Sequence, residues 1–406
     1  MIKLQTEAVG SPSIVTRPES ILALTLLLGL QPITTDLYLP SLPQLTQDLG
    51  ASLVAGQFTL SVLILAFGVA QLFWGPLADR LGRRPVLLAG LSLHVLASVG
   101  CALAPTIEAL VIWRAVQGVA LAAAVVCARA LLRDLYEPHT GAQVLAVALS
   151  GLGVIALLGP LIGGAAAQFW GWRSALGLVG AAAGLVLLWV IWLLPETLAR
   201  PNPLATKPGP LLRTWWTIAR HPVFVSWALL VALAYGALFT ILAGSSFIFI
   251  GVLGLSEVGC GVALATGSTS YLLGTLACRR AVPRWGMQGT VARGAIFTLS
   301  GGLLGLALAW AGVEQLWAVL LPMCLIAFGH GMLQPCGQAG FVGPFPHAAG
   351  SAAALAGLLI SLVAFTVGYW LGLALDTGSK GMMGVLAFWC SATALVAWTW
   401  VQRART

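Results

Sequence analysis

Gly75-Pro76-Leu77-Ala78-Asp79-Arg80-Leu81-Gly82-Arg83-Arg84-Pro85 lies between two long apolar runs. It concentrates four charges in a short connection, in a chain that is only 8% charged. Gly75 and Gly82 flank the charges, and without a Cβ they let the backbone turn tightly and helices approach.

Outward from this connection the chain is apolar almost throughout. Its composition is 59% hydrophobic, whereas a soluble globular domain is nearer half apolar and about a quarter charged. A spanning helix needs about 20 apolar residues, so twelve with short loops need roughly 400; the chain has 406. The net charge of +8 does not point to nucleic acid, because the cations are scattered over the loops. The seven cysteines are odd in number and lack CxxC spacing. They read as small core residues, with no disulfide or metal framework. No cofactor is expected. Residues 1–19 are polar, with Lys3, Glu7, Arg17 and Glu19, and no cleavable signal is evident.

Apolar stretches fall near 20–44, 52–79, 85–105, 107–133, 141–168 and 173–194, then near 222–251, 257–279, 288–312, 315–341, 348–374 and 381–401. The least regular cut is around 251–260, where Gly251, Gly254, Gly259 and Gly261 crowd. Charge bias sets the expected orientation. With the N-terminus inside, Arg80, Arg83, Arg84, Arg133, Arg200, Lys207, Arg213, Arg220, Arg279, Arg280, Arg284, Arg293, Arg403 and Arg405 all fall on cytoplasmic loops or ends. The opposite loops hold Asp48, Glu108, Glu257, Glu314 and Asp376, with only Arg173 and Lys380 as cations. The expected fold is all-α and integral to the membrane: twelve transmembrane helices in two six-helix halves, both termini cytoplasmic. The halves are 1–195 and 222–406, joined by a cytoplasmic linker, 196–221. Six prolines from Pro195 to Pro222 rule out a continuous helix there. Within it Leu211–Arg220 reads either as a short helix in the membrane interface or as an ordinary loop. The run Arg279-Arg280-Ala281-Val282-Pro283-Arg284-Trp285-Gly286 echoes the Asp79–Arg84 connection with its cations but without its acid.

Two ionisable residues lie deep in apolar runs, Asp36 and Arg114. Either costs about 2.5–3.5 kcal/mol at the bilayer centre, so such residues usually face a cavity. Asp36 follows Gln31 and Pro32, and burial favours its neutral form, so it could load and release protons; the plain alternative is a solvated acid at the outer interface. Arg114 stays charged and shares a helix face with Gln117. It either takes part in coupling or ties backbone carbonyls together. Glycines and Pro160 punctuate the fifth run as Gly159-Pro160-Leu161-Ile162-Gly163-Gly164, allowing close helix approach and a bend. Asp79 can pair with Arg80, Arg83 or Arg133, unless these charges only fix topology. Tyr38, Tyr235, Phe239, Tyr271, Phe365 and Tyr369 could line a cavity, or could be packing. His94 reads as a packed residue, and Trp170, Trp172, Trp310 and Trp317 as interfacial anchors.

Four of these segments together, Asp36–Pro43, Gly75–Pro85, Arg114–Gly118 and Gly159–Gly164, resemble the major facilitator superfamily, and within it the Bcr/CflA group of drug:proton antiporters. Arg133-Asp134-Leu135-Tyr136 and Trp170-Gly171-Trp172-Arg173 fit the same pattern, while Ser246-Phe247-Ile248 and Gly350–Ala354 echo it weakly in the second half. The resemblance implies the major facilitator fold in a bacterial inner membrane, exporting small drug-like molecules in exchange for protons by alternating access. It implies proton coupling at Asp36 and Arg114. Substrate contacts are then expected at Tyr38, Gln117, Tyr235 and Phe239. Conformational gating would fall to Gly75, Asp79, Arg80, Gly82, Arg83, Arg84 and Arg133, which lock the outward-facing state with Asp79 reaching a helix terminus of the other half. It would also involve Gly159, Pro160, Gly163 and Gly164, which pack on the other half and seal a leak on the cytoplasmic side. Some multidrug relatives carry a second acid in the first span; here that place is Leu28. The partners are substrate, protons and lipid, and a monomer suffices. An importer of a small polar metabolite on the same fold is the alternative. An enzyme is disfavoured, because no His, Asp or Ser cluster has catalytic spacing.

Overall fold

The structure is a computed structural model that describes residues 18–404. The polar segment with Lys3, Glu7 and Arg17, and Arg405 at the other end, lie outside the described residues. Among those described there are helices and no strands. In chain order they are α1 (Pro18–Asp36), α2 (Leu42–Asp48), α3 (Leu53–Leu81), α4 (Arg83–Ala102), α5 (Ile107–Leu135), α6 (Pro138–Trp170) and α7 (Trp172–Leu193). After the linker helix α8 (Pro208–Ala219) come α9 (Pro222–Ser246), α10 (Glu257–Trp310), α11 (Leu316–Val342), α12 (Ala349–Ala374), α13 (Ser379–Trp398) and the short α14 (Trp400–Arg403).

Eleven helical segments are long and apolar enough to cross a membrane. One of them, α10, has 54 residues, about 80 Å of helix and far more than one crossing needs. Its backbone leaves the helix at Gly286 (φ 67°, ψ 176°) and so divides into two spans, giving twelve crossings. Gly82 (φ 103°) and Gly171 (φ 79°) make the same kind of one-residue reversal between α3 and α4 and between α6 and α7. At positive φ an L side chain is strained, and glycine is not. The parallel between Gly82 and Gly286 extends further along each helix. Gly90, eight residues on, packs against Ala123 of α5, and Gly294, eight residues on, packs against α11 at Met332.

The first run is not one continuous span. Pro40 and Pro43 lack the N–H groups that would bond to carbonyls four residues back. The helix therefore stops at Asp36, a 3₁₀ turn spans Leu39–Ser41, and α2 follows. The crowded glycine region begins with a π-helical turn, Phe247–Val252, and Gly254 (φ 69°) precedes α10. Side chains of Ser52, Thr106 and Ser256 accept from the backbone N–H three residues ahead and start α3, α5 and α10. In the linker the helical reading holds: α8 buries Ile218 and exposes Leu212 and Trp216, and Arg220 lies 3.9 Å over the Trp216 ring.

Among the described residues, three large apolar clusters and a small one around Leu37, Ala166 and Val179 hold the bundle. One lies within the first six spans, around Leu24, Leu91, Ala124 and Val186. One lies within the last six, around Trp227, Val291, Leu333 and Ala397. The largest joins the two sets: Tyr38, Leu42, Leu60 and Trp172 pack with Phe239, Phe249, Leu264, Leu371 and Met382. This shared core lies toward the ends that carry the acidic loops.

Candidate functional site

Asp36 is half-buried at the broken end of α1, and Thr35 donates its hydroxyl to the Asp36 carboxylate at 2.7 Å. Tyr235 of α9 is half-exposed. Gly159 of α6 backs the acid; a Cβ there would stand 3.6 Å from the Asp36 Cβ. Asp36 therefore sits where the end of α1 meets α6.

Arg114 is fully buried on α5. Its Nε donates to the Thr59 carbonyl at 3.2 Å, and Nη1 donates to the Thr34 carbonyl at 3.3 Å and to Gln117 Oε1 at 2.6 Å. Thr34 lies in the last turn of α1, where carbonyls lack intrahelical partners. The break in the first span thus supplies the acceptor that Arg114 takes. The guanidinium also lies 4.3 Å over the Tyr38 ring, and the Tyr38 hydroxyl is hydrogen-bonded to Thr59. Gln117 donates in turn to Ser98 at 2.7 Å, and His94 bridges Thr34 and the Gln117 carbonyl at 3.3 Å each. His94 is accordingly packed. The ion pairs among the described residues do not include Asp36 with Arg114. The arginine grips the backbone beneath the acid instead.

Of the four candidate substrate contacts, Tyr38, Gln117 and Phe239 are fully buried in this conformation and offer no surface to a ligand. Only Tyr235 is half-exposed, with Phe239 stacked behind it at 6.2 Å. Phe365 and Tyr369 pack with Phe58 between α3 and α12, and Tyr369 is 52% exposed on the outer surface of that seam. Trp172 is buried and donates to Asp48 at 3.0 Å, so it is a tertiary contact and not an exposed anchor. Trp170, Trp310 and Trp317 are exposed.

The basic connection forms a second cluster. Arg83 is 2% exposed and serves as its hub. Its Nη1 lies 2.6 Å from Asp79 and its Nε 2.9 Å from Asp134. Arg133 stands 3.9 Å from Asp79, whereas Arg80 donates to Thr206 of the linker. Glu196, absent from the sequence reading, accepts from the N–H groups of Arg83, Arg84, Thr197 and Leu198 at 2.9–3.0 Å. It places an anion at the start of α4, where the helix dipole favours one. Burial pushes its carboxyl up, but these backbone donors outweigh burial and hold it below its ordinary value. Its signal in the sequence is an acid directly after Pro195, opening a basic linker. Gly75 meets only Val126 at ordinary contact distance.

A model of the Major Facilitator Superfamily matches residues 24–368. The chain belongs to the major facilitator superfamily. It is 30% identical over 379 residues to multidrug resistance protein D of Escherichia coli K12, covering 93% of this chain and 94% of that protein. It is 29% identical over 331 residues to a chloramphenicol resistance protein of Pseudomonas aeruginosa, covering 79% of this chain and 75% of that one. It is 26% identical over 363 residues to a bicyclomycin resistance protein homolog of Haemophilus influenzae, with 87% of each chain covered. Among solved structures, the D-xylose–proton symporter superposes with a TM-score of 0.73 at 17% identity, covering 94% of this chain and 97% of that one. The human organic anion transporter MFSD10 superposes with a TM-score of 0.71 at 20% identity, covering 94% and 99%. This major facilitator protein is a secondary transporter, not an enzyme.

Its two sets of helices meet along one side. Gln57 donates to the Ala243 carbonyl at 2.8 Å, the Val258 N–H to Gln168 at 3.2 Å, and Ser268 to the Ala156 carbonyl at 3.3 Å. Gly164 lies against the Glu257 backbone, Gly261 against the Pro160 carbonyl, Gly372 against Val54 and Gly68 against Ser361. The glycine string of α6 thus does pack on the other helix set, but the contact reaches Glu257, on the side of the acidic loops. This contact lies at the end opposite the basic connection, not beside it. At the basic end the described contacts of Asp79, Arg80, Arg83, Arg84 and Arg133 stay within the first helix set and the linker. The expected reach of Asp79 to the other half is not made in this conformation.

Proposed function

We propose that this transporter exports small drug-like molecules across the bacterial inner membrane in exchange for protons. The observation that carries the reading is Asp36, a half-buried carboxylate within the first span, held at the broken end of α1 beside Gly159 of α6 and absent from the ion pairs of the described residues. The names of the relatives, multidrug, chloramphenicol and bicyclomycin resistance proteins, support the drug class. Both termini are cytoplasmic in this reading, residues 1–195 and 222–406 are the two rocking halves, 196–221 is the linker, and a monomer suffices. The conformation is then open toward the cytoplasm.

Protonated Asp36 faces the cytoplasm, and drug entering beside Tyr235 favours proton release inward. The halves rock about the seal formed by α6 and α10, α3 and α12. Drug leaves outside when Asp36 is reprotonated. Arg114 keeps α1 in register by gripping the Thr34 carbonyl, so a change at Asp36 is transmitted to α3 through Thr59. Tyr38, Gln117 and Phe239 support this framework from behind. With Leu28 at the place of a second acid, one proton moves per cycle.

The test is drug susceptibility across a panel, in a bacterium stripped of its exporters, beside Asp36→Asn. Resistance with the wild-type chain and none with the equally expressed variant is expected. Resistance that survives Asp36→Asn with its pH dependence intact would overturn the coupling role, and inward accumulation of one polar solute would overturn export.

A further inference from the structure

Val62, Ala66, Val69, Phe73 and Leu77 recur every three or four residues along α3 and so share one helix face. It is the outer face: the opposite one carries buried Gln57 and Gln71, whereas Val69 is 39% and Phe73 62% exposed. With Trp74 and with Val119 of α5, this row lines an apolar groove of about 480 Å³. The Trp74 indole N–H donates to the Val119 carbonyl at 2.8 Å, so the ring bridges α3 and α5 with its polar atom satisfied. From Val62 to Leu77 the groove runs about 22 Å along the helix. Arg80 stands one turn beyond Leu77 on the same row. It is exposed, and among the described residues it has no carboxylate within ion-pair distance; neighbouring Asp79 pairs with Arg83 and Arg133. Arg80 Nη1 donates to Thr206 at 2.8 Å, which ties the linker to the end of the groove. The next residue, exposed Lys207, brings a second cation there.

An apolar hollow on the outer face of a spanning helix is filled by hydrocarbon, and an exposed guanidinium at its end favours an anion. We infer that this groove binds one anionic phospholipid, with an acyl chain laid from Val62 to Leu77 and the headgroup phosphodiester on Arg80 and Lys207. The planar fork of arginine matches two phosphate oxygens, and only one of its five N–H donors is taken by Thr206. Each cation near the membrane surface favours an anionic lipid by about fivefold. A zwitterionic lipid offers the same phosphate beside its own neutralising ammonium and gains little. The bound lipid braces α3, which on an adjoining flank packs closely on α12 where Gly68 meets Ser361. The inference requires only that α3 spans a membrane, and it stands apart from the export reading.

Native mass spectrometry of the purified full chain, titrated with phosphatidylglycerol or with phosphatidylcholine of identical acyl chains, reads the preference. Phosphatidylglycerol is expected to bind about twentyfold more tightly, the product of two cations. Arg80→Gln and Lys207→Gln should each cut its affinity about fivefold and leave phosphatidylcholine unchanged. Ala66→Phe, which fills the groove from its outer side, should weaken both lipids alike. Arg280→Gln removes an exposed cation of α10 and should change neither. Glycerophosphoglycerol, the headgroup without chains, should not compete. No preference in the wild-type chain, an effect of Arg280→Gln as large as that of Arg80→Gln, or affinities unmoved by Ala66→Phe would overturn the site. Competition by glycerophosphoglycerol would overturn it too, by marking a plain anion site in place of a lipid site.

Discussion

Gly163 of α6 lies directly against the backbone carbonyl of Leu37, the residue after Asp36. No side chain fits between them, so this glycine sets how closely the end of α1 approaches α6. Gly159, one turn earlier, faces Asp36 itself at a looser spacing, where a methyl would make ordinary contact at 3.6 Å. The end of α1 beside Asp36, the proposed proton carrier, is therefore positioned by the absence of atoms on a neighbouring helix.

Gly163→Ala should displace the end of α1, because the new methyl meets backbone, which cannot swing aside. Overpacking of this kind costs about 1–3 kcal/mol. A drop of several degrees in melting temperature with transport reduced at least about tenfold is expected. Gly153→Ala is the control, since its methyl would meet only the tip of Leu272 at 3.8 Å. Equal effects of the two substitutions would refute the role of the Leu37 contact.

Arg83 bridges Asp79 and Asp134, whose side chains are 43% and 15% exposed. Asp134→Asn should therefore destabilise more than Asp79→Asn, and Arg83→Met more than either. Removing one partner of a buried ion pair costs roughly 3–5 kcal/mol. Arg83→Lys should not rescue, because one ammonium cannot reach both acids with the fork that a guanidinium offers. Thermal melting of the four variants in detergent ranks them, and rescue by lysine would count against the hub.

Glu196 is held below its ordinary value of 4.5 by the backbone donors at the start of α4. A depressed carboxyl contributes stability that is fully present above its unfolded value and is lost as pH falls through its folded value. Glu196→Gln should thus melt earlier than the wild-type chain at pH 7, and the two curves should converge below about pH 4. Parallel curves over the whole range would show that the capping contact carries no pH-linked stability.

With one proton per cycle, voltage acts differently on neutral and cationic drugs. A proton gains about 2.3 kcal/mol per 100 mV and about 1.4 kcal/mol per pH unit. Both terms drive export of a neutral molecule, enough for a gradient of several hundredfold. A monovalent cation exchanges without net charge and feels only the pH term, roughly tenfold. In vesicles, collapsing the voltage at constant pH gradient should slow the neutral drug and spare the cation. Equal sensitivity would contradict the stoichiometry.

The run of apolar segments, the proline-rich linker and the Asp79–Arg84 connection were all legible in the sequence, because membrane crossing demands length and hydrophobicity that composition cannot hide. Asp36, Arg114 and the glycine string stood out for the same reason: charge and glycine are conspicuous in an apolar chain. Which way a side chain points is a different matter, since it depends on how each helix is rotated against its neighbours. Tyr38, Gln117 and Phe239 looked like cavity residues and are buried; Glu196 drew no notice and holds the helix cap. The eleven apolar segments become twelve crossings only because the backbone turns at Gly286. By itself, the sequence determined that this chain spans a membrane many times and carries an acid and an arginine within it. Tertiary packing decided that the acid and the arginine do not pair, that the glycine string of α6 meets the other helix set on the side of the acidic loops, and that Gly163 lies against Leu37. These are contacts between residues far apart in the chain, and helix periodicity within one segment carries no information about them.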